Sequence, residues 1–157
     1  MLVAGFGWAK PVIIDTGKLQ HPRRDDILIS LAGPLSNLLL AILIALVLKI
    51  CLSITPYEGG TLYREMLNVG IAGLYINIGL FIFNLIPLPP LDGSHLITSL
   101  ISTRSIAAAQ KFFKYGAYAF LAIIILERAL HVNLLPINVL VDVVAQGLFN
   151  LLNLFQH

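Results

Sequence analysis

The sequence predicts an all-α polytopic membrane protein, with three to four transmembrane helices and an N-terminal re-entrant loop or β-hairpin. Composition is the first reason: 58% of the 157 residues are hydrophobic and only 11% are charged, against roughly one quarter charged in a soluble domain. A chain this small has too much apolar surface to hide it all from water. The second reason is two long apolar runs, 27–50 and 66–88, each able to cross a ~30 Å hydrocarbon core, which takes about 20 helical residues. The third is how the second run ends. Pro87, Pro89 and Pro90 stand within four positions, and Asp92 follows two residues after the last of them.

By length the chain is a single membrane-embedded domain, residues 1–157. Residues 1–26 form its least helical part. Gly5, Gly7, Pro11, Gly17 and Pro22 punctuate it around a β-prone Val12-Ile13-Ile14 run, the composition of a hairpin or re-entrant loop at the membrane face. Trp8 beside Lys10 suits a membrane–water interface. Asp25 and Asp26 precede the first span, 27–50, and complement the unpaired N–H groups at a helix start. Within that span Gly33, Asn37, Ala41 and Ala45 recur every four residues and present one small face for close helix packing.

Residues 51–65, with Pro56, Gly59 and Gly60, read as a polar loop before the second span, 66–88. Gly70, Asn77 and Asn84 are spaced by sevens there and share one helical face, giving a polar seam that leads towards Asp92. A third span is expected at 112–130. A last helix at 136–155 is expected either to span or to lie in the interface, because Asn138, Asp142, Gln146, Asn150 and Asn153 form a polar stripe. The lone Cys51 excludes an internal disulfide and a cysteine-based zinc cluster.

Charge gives the orientation. Residues 1–26 hold Lys10, Lys18, Arg23 and Arg24, residues 51–65 only Arg64, residues 89–114 Arg104, Lys111 and Lys114, and residues 127–135 only Arg128. That alternation places the N-terminal loop and Asp92 together near the cytoplasmic face of a cell membrane. With no basic stripe, nucleic acid is not an expected partner.

Prolines forbid continued helix, since each removes an N–H donor and crowds the preceding turn. Broken backbone at membrane depth survives only when it packs in protein or lines a wet cavity. An acid directly after such a break is read as functional by default, although Asp is also a good helix N-cap and the run is ordinary turn chemistry. Phe83-Asn84-Leu85-Ile86-Pro87-Leu88-Pro89-Pro90-Leu91-Asp92-Gly93 resembles the signature of the site-2 protease family of intramembrane zinc metalloproteases. Gly5-Phe6-Gly7-Trp8-Ala9-Lys10-Pro11-Val12 and Leu31-Ala32-Gly33-Pro34-Leu35-Ser36-Asn37 match two stretches that precede it in the same order.

The resemblance covers about residues 5–100, and it implies several things. Asp92 would be the third protein ligand to one zinc ion. Asn84 and Pro87 would shape the pocket, with Asn77, Asn37, Gly33, Trp8 and Lys10 as its further elements. Partners would be the lipid bilayer and transmembrane protein substrates, cleaved in regulated intramembrane proteolysis in a prokaryotic cell membrane. The family places a His-Glu-x-x-His helix upstream of the Gly-Trp-Ala-Lys-Pro loop, two histidines one turn apart with a glutamate as general base. The histidines here are His21, His95, His131 and His157, none four residues from another. The chain is therefore expected to be N-terminally incomplete, with zinc bound only together with that helix.

His95 lies three residues from Asp92, close enough on a helix face to share a metal or to form a polar wall. Two other functions fit the same residues: a catalytically inactive, protease-like membrane binding or regulatory protein, and a small transporter or channel subunit. Broken helices with polar seams also build ion pathways.

Overall fold

The computed structural model describes residues 21–54, 60–102 and 105–153. The expected N-terminal loop or hairpin, with Trp8 and Lys10, lies outside them. The described residues form five helices and no strand: α1 (Pro22–Ile54), α2 (Thr61–Asn84), α3 (Ser94–Ser102), α4 (Ile106–Leu130) and α5 (Ile137–Leu152).

Helix α1 begins at Pro22, a residue suited to a first turn because its missing N–H has no partner to lose there. The Asp25 carboxylate reaches back to accept the His21 N–H at 3.0 Å, tying down the helix start. With 33 residues in α1 and 24 in α2, the two measure roughly 50 Å and 36 Å at 1.5 Å per residue. They are the two described helices long and apolar enough to cross a membrane.

The two helices pack antiparallel through small residues. A Cβ on Gly70 would meet the Leu48 side chain at 2.7 Å, and one on Gly73 would meet Ile44 at 3.7 Å. Ala41, Ala45, Leu48, Leu74, Ile78 and Ile82 form the buried core between them, joined by Ala145 of α5. The small-residue face read from the sequence thus lies at a helix seam, with Ala41 and Ala45 fully buried. Leu39, Leu43, Val47 and Ile50 of α1 and Val69 and Ile76 of α2 point outward and exposed. A soluble protein rarely shows such a continuous apolar surface, and this one is compatible with contact to lipid.

Helix α5 crosses α2, with Val141 against Gly79 and Phe149 edge-on to Tyr75 at 6.3 Å. Its polar stripe faces away from α1 and α2: Asn138, Asp142, Gln146, Asn150 and Asn153 are all exposed. Helix α4 reaches further towards the N-terminus than the expected 112–130 run. The Ser105 hydroxyl caps it, accepting the Ala108 N–H at 3.2 Å, and it stops at His131 in the left-handed region, φ 53°. Beyond it, the Glu127 carboxylate accepts the Leu135 N–H at 2.6 Å and orders the turn into α5. Helix α4 packs on α3 rather than along the α1–α2 pair.

Candidate metal centre at the broken helix

Helix α2 stops at Asn84, four residues short of the expected end at 88. Pro87 has no N–H to give the Phe83 carbonyl, and the residue before a proline is driven out of helical backbone. The Ile86 N–H takes that carbonyl instead, at 3.2 Å. The chain then turns through 85–93 and is clasped shut where the Gly93 N–H donates to the Asn84 carbonyl at 2.7 Å. A Cβ on Gly93 would collide with the Leu85 carbonyl oxygen, so the clasp requires glycine. From outside, Gly116 of α4 presses on Pro89, where an added Cβ would stand 2.6 Å from Pro89 Cδ. Phe120 meets Phe83 edge-on at 5.8 Å.

This geometry bears on the capping reading of Asp92. A capping aspartate would accept N–H groups from the first turn of α3. Those groups go elsewhere: Ser94 N–H to the Leu91 carbonyl at 3.0 Å, His95 N–H to the Asp92 carbonyl at 3.1 Å, Leu96 N–H to the Gly93 carbonyl at 3.3 Å. The Ser94 hydroxyl, fully buried, also donates to Leu91, at 2.6 Å. Among the described residues the Asp92 carboxylate accepts no hydrogen bond and joins no ion pair. Its Oδ2 lies across the helix gap on α1, 3.1 Å from where a Cβ of Gly33 would stand. Pro34, next to that glycine, is buried.

Of the other residues singled out in the sequence, Asn84 sits at the hinge of the turn. Its backbone carbonyl closes the clasp, and its amide donates to the Leu80 carbonyl at 3.0 Å. Asn77 bonds back in the same way, to the Gly73 carbonyl at 2.8 Å. Asn37 is half-buried one turn along α1 from Gly33, and Pro87 is exposed at the rim of the turn. His95 turns Nδ1 towards the Asp26 carboxylate, 3.2 Å away, and sets its ring edge-on to Phe113 of α4 at 5.8 Å. Asp26, read from the sequence only as a helix-start charge, thus meets His95. The seven-residue step from Asp26 to Gly33, one helical face, was the available signal.

A catalytic zinc takes three protein donors and keeps one position open. The described residues hold no group of three or more His, Cys, Asp or Glu side chains placed to share a metal. Asp92 fits one such position, since it is a carboxylate without a partner among the described residues, 3.1 Å from where a Cβ of Gly33 would stand. The whole donor set is not here.

A helical chain with long apolar helices, and an acid after a proline break that has no partner among the described residues, fits the class of membrane proteins. Comparison with known proteins places it within that class. Residues 49–127 match Peptidase family M50. The chain is also 36% identical over 130 residues to the Bacillus subtilis (strain 168) protein named "Putative zinc metalloprotease YwhC", covering 80% of this chain and 57% of that protein. No solved structure matches it. This chain belongs to peptidase family M50, the site-2 protease family, and spans a little over half the length of that relative.

Proposed function

We propose that this chain is the Asp-bearing part of an intramembrane zinc metalloprotease of the site-2 type, hydrolysing peptide bonds in membrane-embedded protein segments. The observation that carries the reading is the Asp92 carboxylate, without a partner among the described residues and held over Gly33 at the break in α2. An acid at membrane depth is costly, and one with no partner among the described residues is read as functional by default. Asp92 supplies one oxygen donor, and two histidines and a general-base glutamate come from outside the described residues. Zinc, when bound, contributes Lewis acidity and an activated water.

The remaining residues hold and shape the place. The Gly93–Asn84 clasp fixes Asp92 in space, Gly33 leaves room for its carboxylate, and Asn37, Asn77, Asn84 and Pro87 contribute to the pocket wall. By family resemblance Trp8 and Lys10, outside the described residues, would contact the substrate. The reading also takes α4 as a third span, with α5 either a fourth or an interfacial helix. The protein is then a multi-pass cell-membrane protein with Asp92 near the cytoplasmic side, and its substrates are transmembrane proteins.

The test uses protein produced from its native gene at native length and purified from membranes. Zinc per chain is measured by plasma mass spectrometry beside cleavage of a reconstituted transmembrane substrate. About one zinc per chain, lost together with cleavage in Asp92→Ala, is the expected result. Zinc and cleavage that survive Asp92→Ala overturn the assignment. Native-length protein that binds no zinc at all makes the inactive, protease-like binding protein the correct reading.

A further inference from the structure

We infer that Asp26 and His95 are a positioning pair that sets the Asp92 carboxylate in place, an inference that rests on the zinc-ligand reading of Asp92. Two contacts join the start of α1 to the segment beginning at Asp92. Asp92 Oδ2 lies 3.1 Å from where a Cβ of Gly33 would stand, and Asp26 Oδ2 meets His95 Nδ1 at 3.2 Å. Asp26 and Gly33 are seven residues apart and so lie on one face of α1, while Asp92 and His95 are three apart at the entry to α3. The two contacts are therefore adjacent rungs between the same pair of elements.

A glycine surface can only limit how close the carboxylate comes. It offers no group that grips. The Asp26–His95 rung adds direction: a ring N–H donating to a carboxylate fixes both the distance between the elements and the rotation of the imidazole. Phe113 of α4 packs edge-on to the same ring at 5.8 Å, so α1, α3 and α4 all converge on His95. The two side chains are 33% and 31% exposed, too wet for the pair to add much to global stability. Its consequence is local. Supports of this kind around metal ligands typically change affinity by about 10–100-fold when removed.

The test uses native-length protein and reads the segment itself before it reads zinc. Backbone hydrogen exchange of residues 93–96 is followed by mass spectrometry in zinc-free protein for Asp26→Ala, His95→Ala, the double variant, and the exchanged pair Asp26→His with His95→Asp. Asp25→Ala, one residue away, is the control. Zinc affinity of each is then taken by chelator competition. Expected are at least tenfold faster exchange confined to 93–96 and about tenfold to 100-fold weaker zinc in each single variant. The double variant should be no worse than the poorer single, and the exchanged pair should recover part of the loss. Unchanged exchange at 93–96, faster exchange with unchanged zinc affinity, or loosening spread equally over α2 would each overturn the inference. Zinc retained in Asp92→Ala would instead show that the ligand reading has failed, and the exchange data would still report whether the pair holds the segment.

Discussion

The α1–α2–α5 bundle and the proline turn with α3 and α4 are held by different physics. In the bundle the buried residues are Ala, Leu and Ile meeting across small-residue seams, while the outward faces are Leu, Ile and Val. Between helices in lipid there is little hydrophobic driving force, so such a seam depends on close van der Waals packing. The turn has almost no core of its own. Short backbone hydrogen bonds, one glycine against a carbonyl and another against a proline ring define it. The bundle therefore specifies where the site sits, and many apolar side chains satisfy it. The turn specifies how one carboxylate is aimed, and few substitutions do.

The sharpest way to break this contrast is at Gly93. Gly93→Ala drives a Cβ into the Leu85 carbonyl oxygen, with no flexible side chain to yield. A loss of about 3 kcal/mol is expected, read by thermal unfolding in detergent, together with loss of zinc from the molecules that remain folded. The matching change in the bundle is milder in kind. Leu74, fully buried, should cost about 2 kcal/mol as Leu74→Ala, the low end for cavity formation. Zinc affinity per folded molecule should stay at the wild-type value. Leu74→Met should cost under about 1.5 kcal/mol, because it conserves volume. Equal zinc loss in both regions would erase the distinction. Smallest is the α4 cap: Ser105→Ala removes the acceptor of the Ala108 N–H and should cost about 1 kcal/mol, fraying the helix start by hydrogen exchange without moving Gly116 off Pro89.

The sequence was legible where local physics decides. Apolar runs located α1 and α2, the spacing of Ala41 and Ala45 located their seam, and the prolines located the break, although the helix ended earlier because Pro87 acts on the residues before it. What stayed hidden depends on partners far along the chain. Asp26 and His95 are 69 residues apart, and no periodicity links them. The docking of Gly116 on Pro89 depends on how α4 folds back over the turn. The stripe on α5 was visible as a stripe, but its direction followed from Ala145 and Val141 winning the contact with α1 and α2. For Asp92 the motif left capping and ligation open, and the structure adds that the first-turn N–H groups of α3 bond to backbone carbonyls instead.

The most direct test of the central claim, that Asp92 over Gly33 is a zinc donor, is zinc K-edge X-ray absorption on the native-length protein and on its Asp92→Ala variant reloaded with added zinc. The account predicts a first shell of imidazole nitrogens with one carboxylate oxygen, and loss of that carboxylate contribution in the variant. An identical spectrum from both proteins would contradict it.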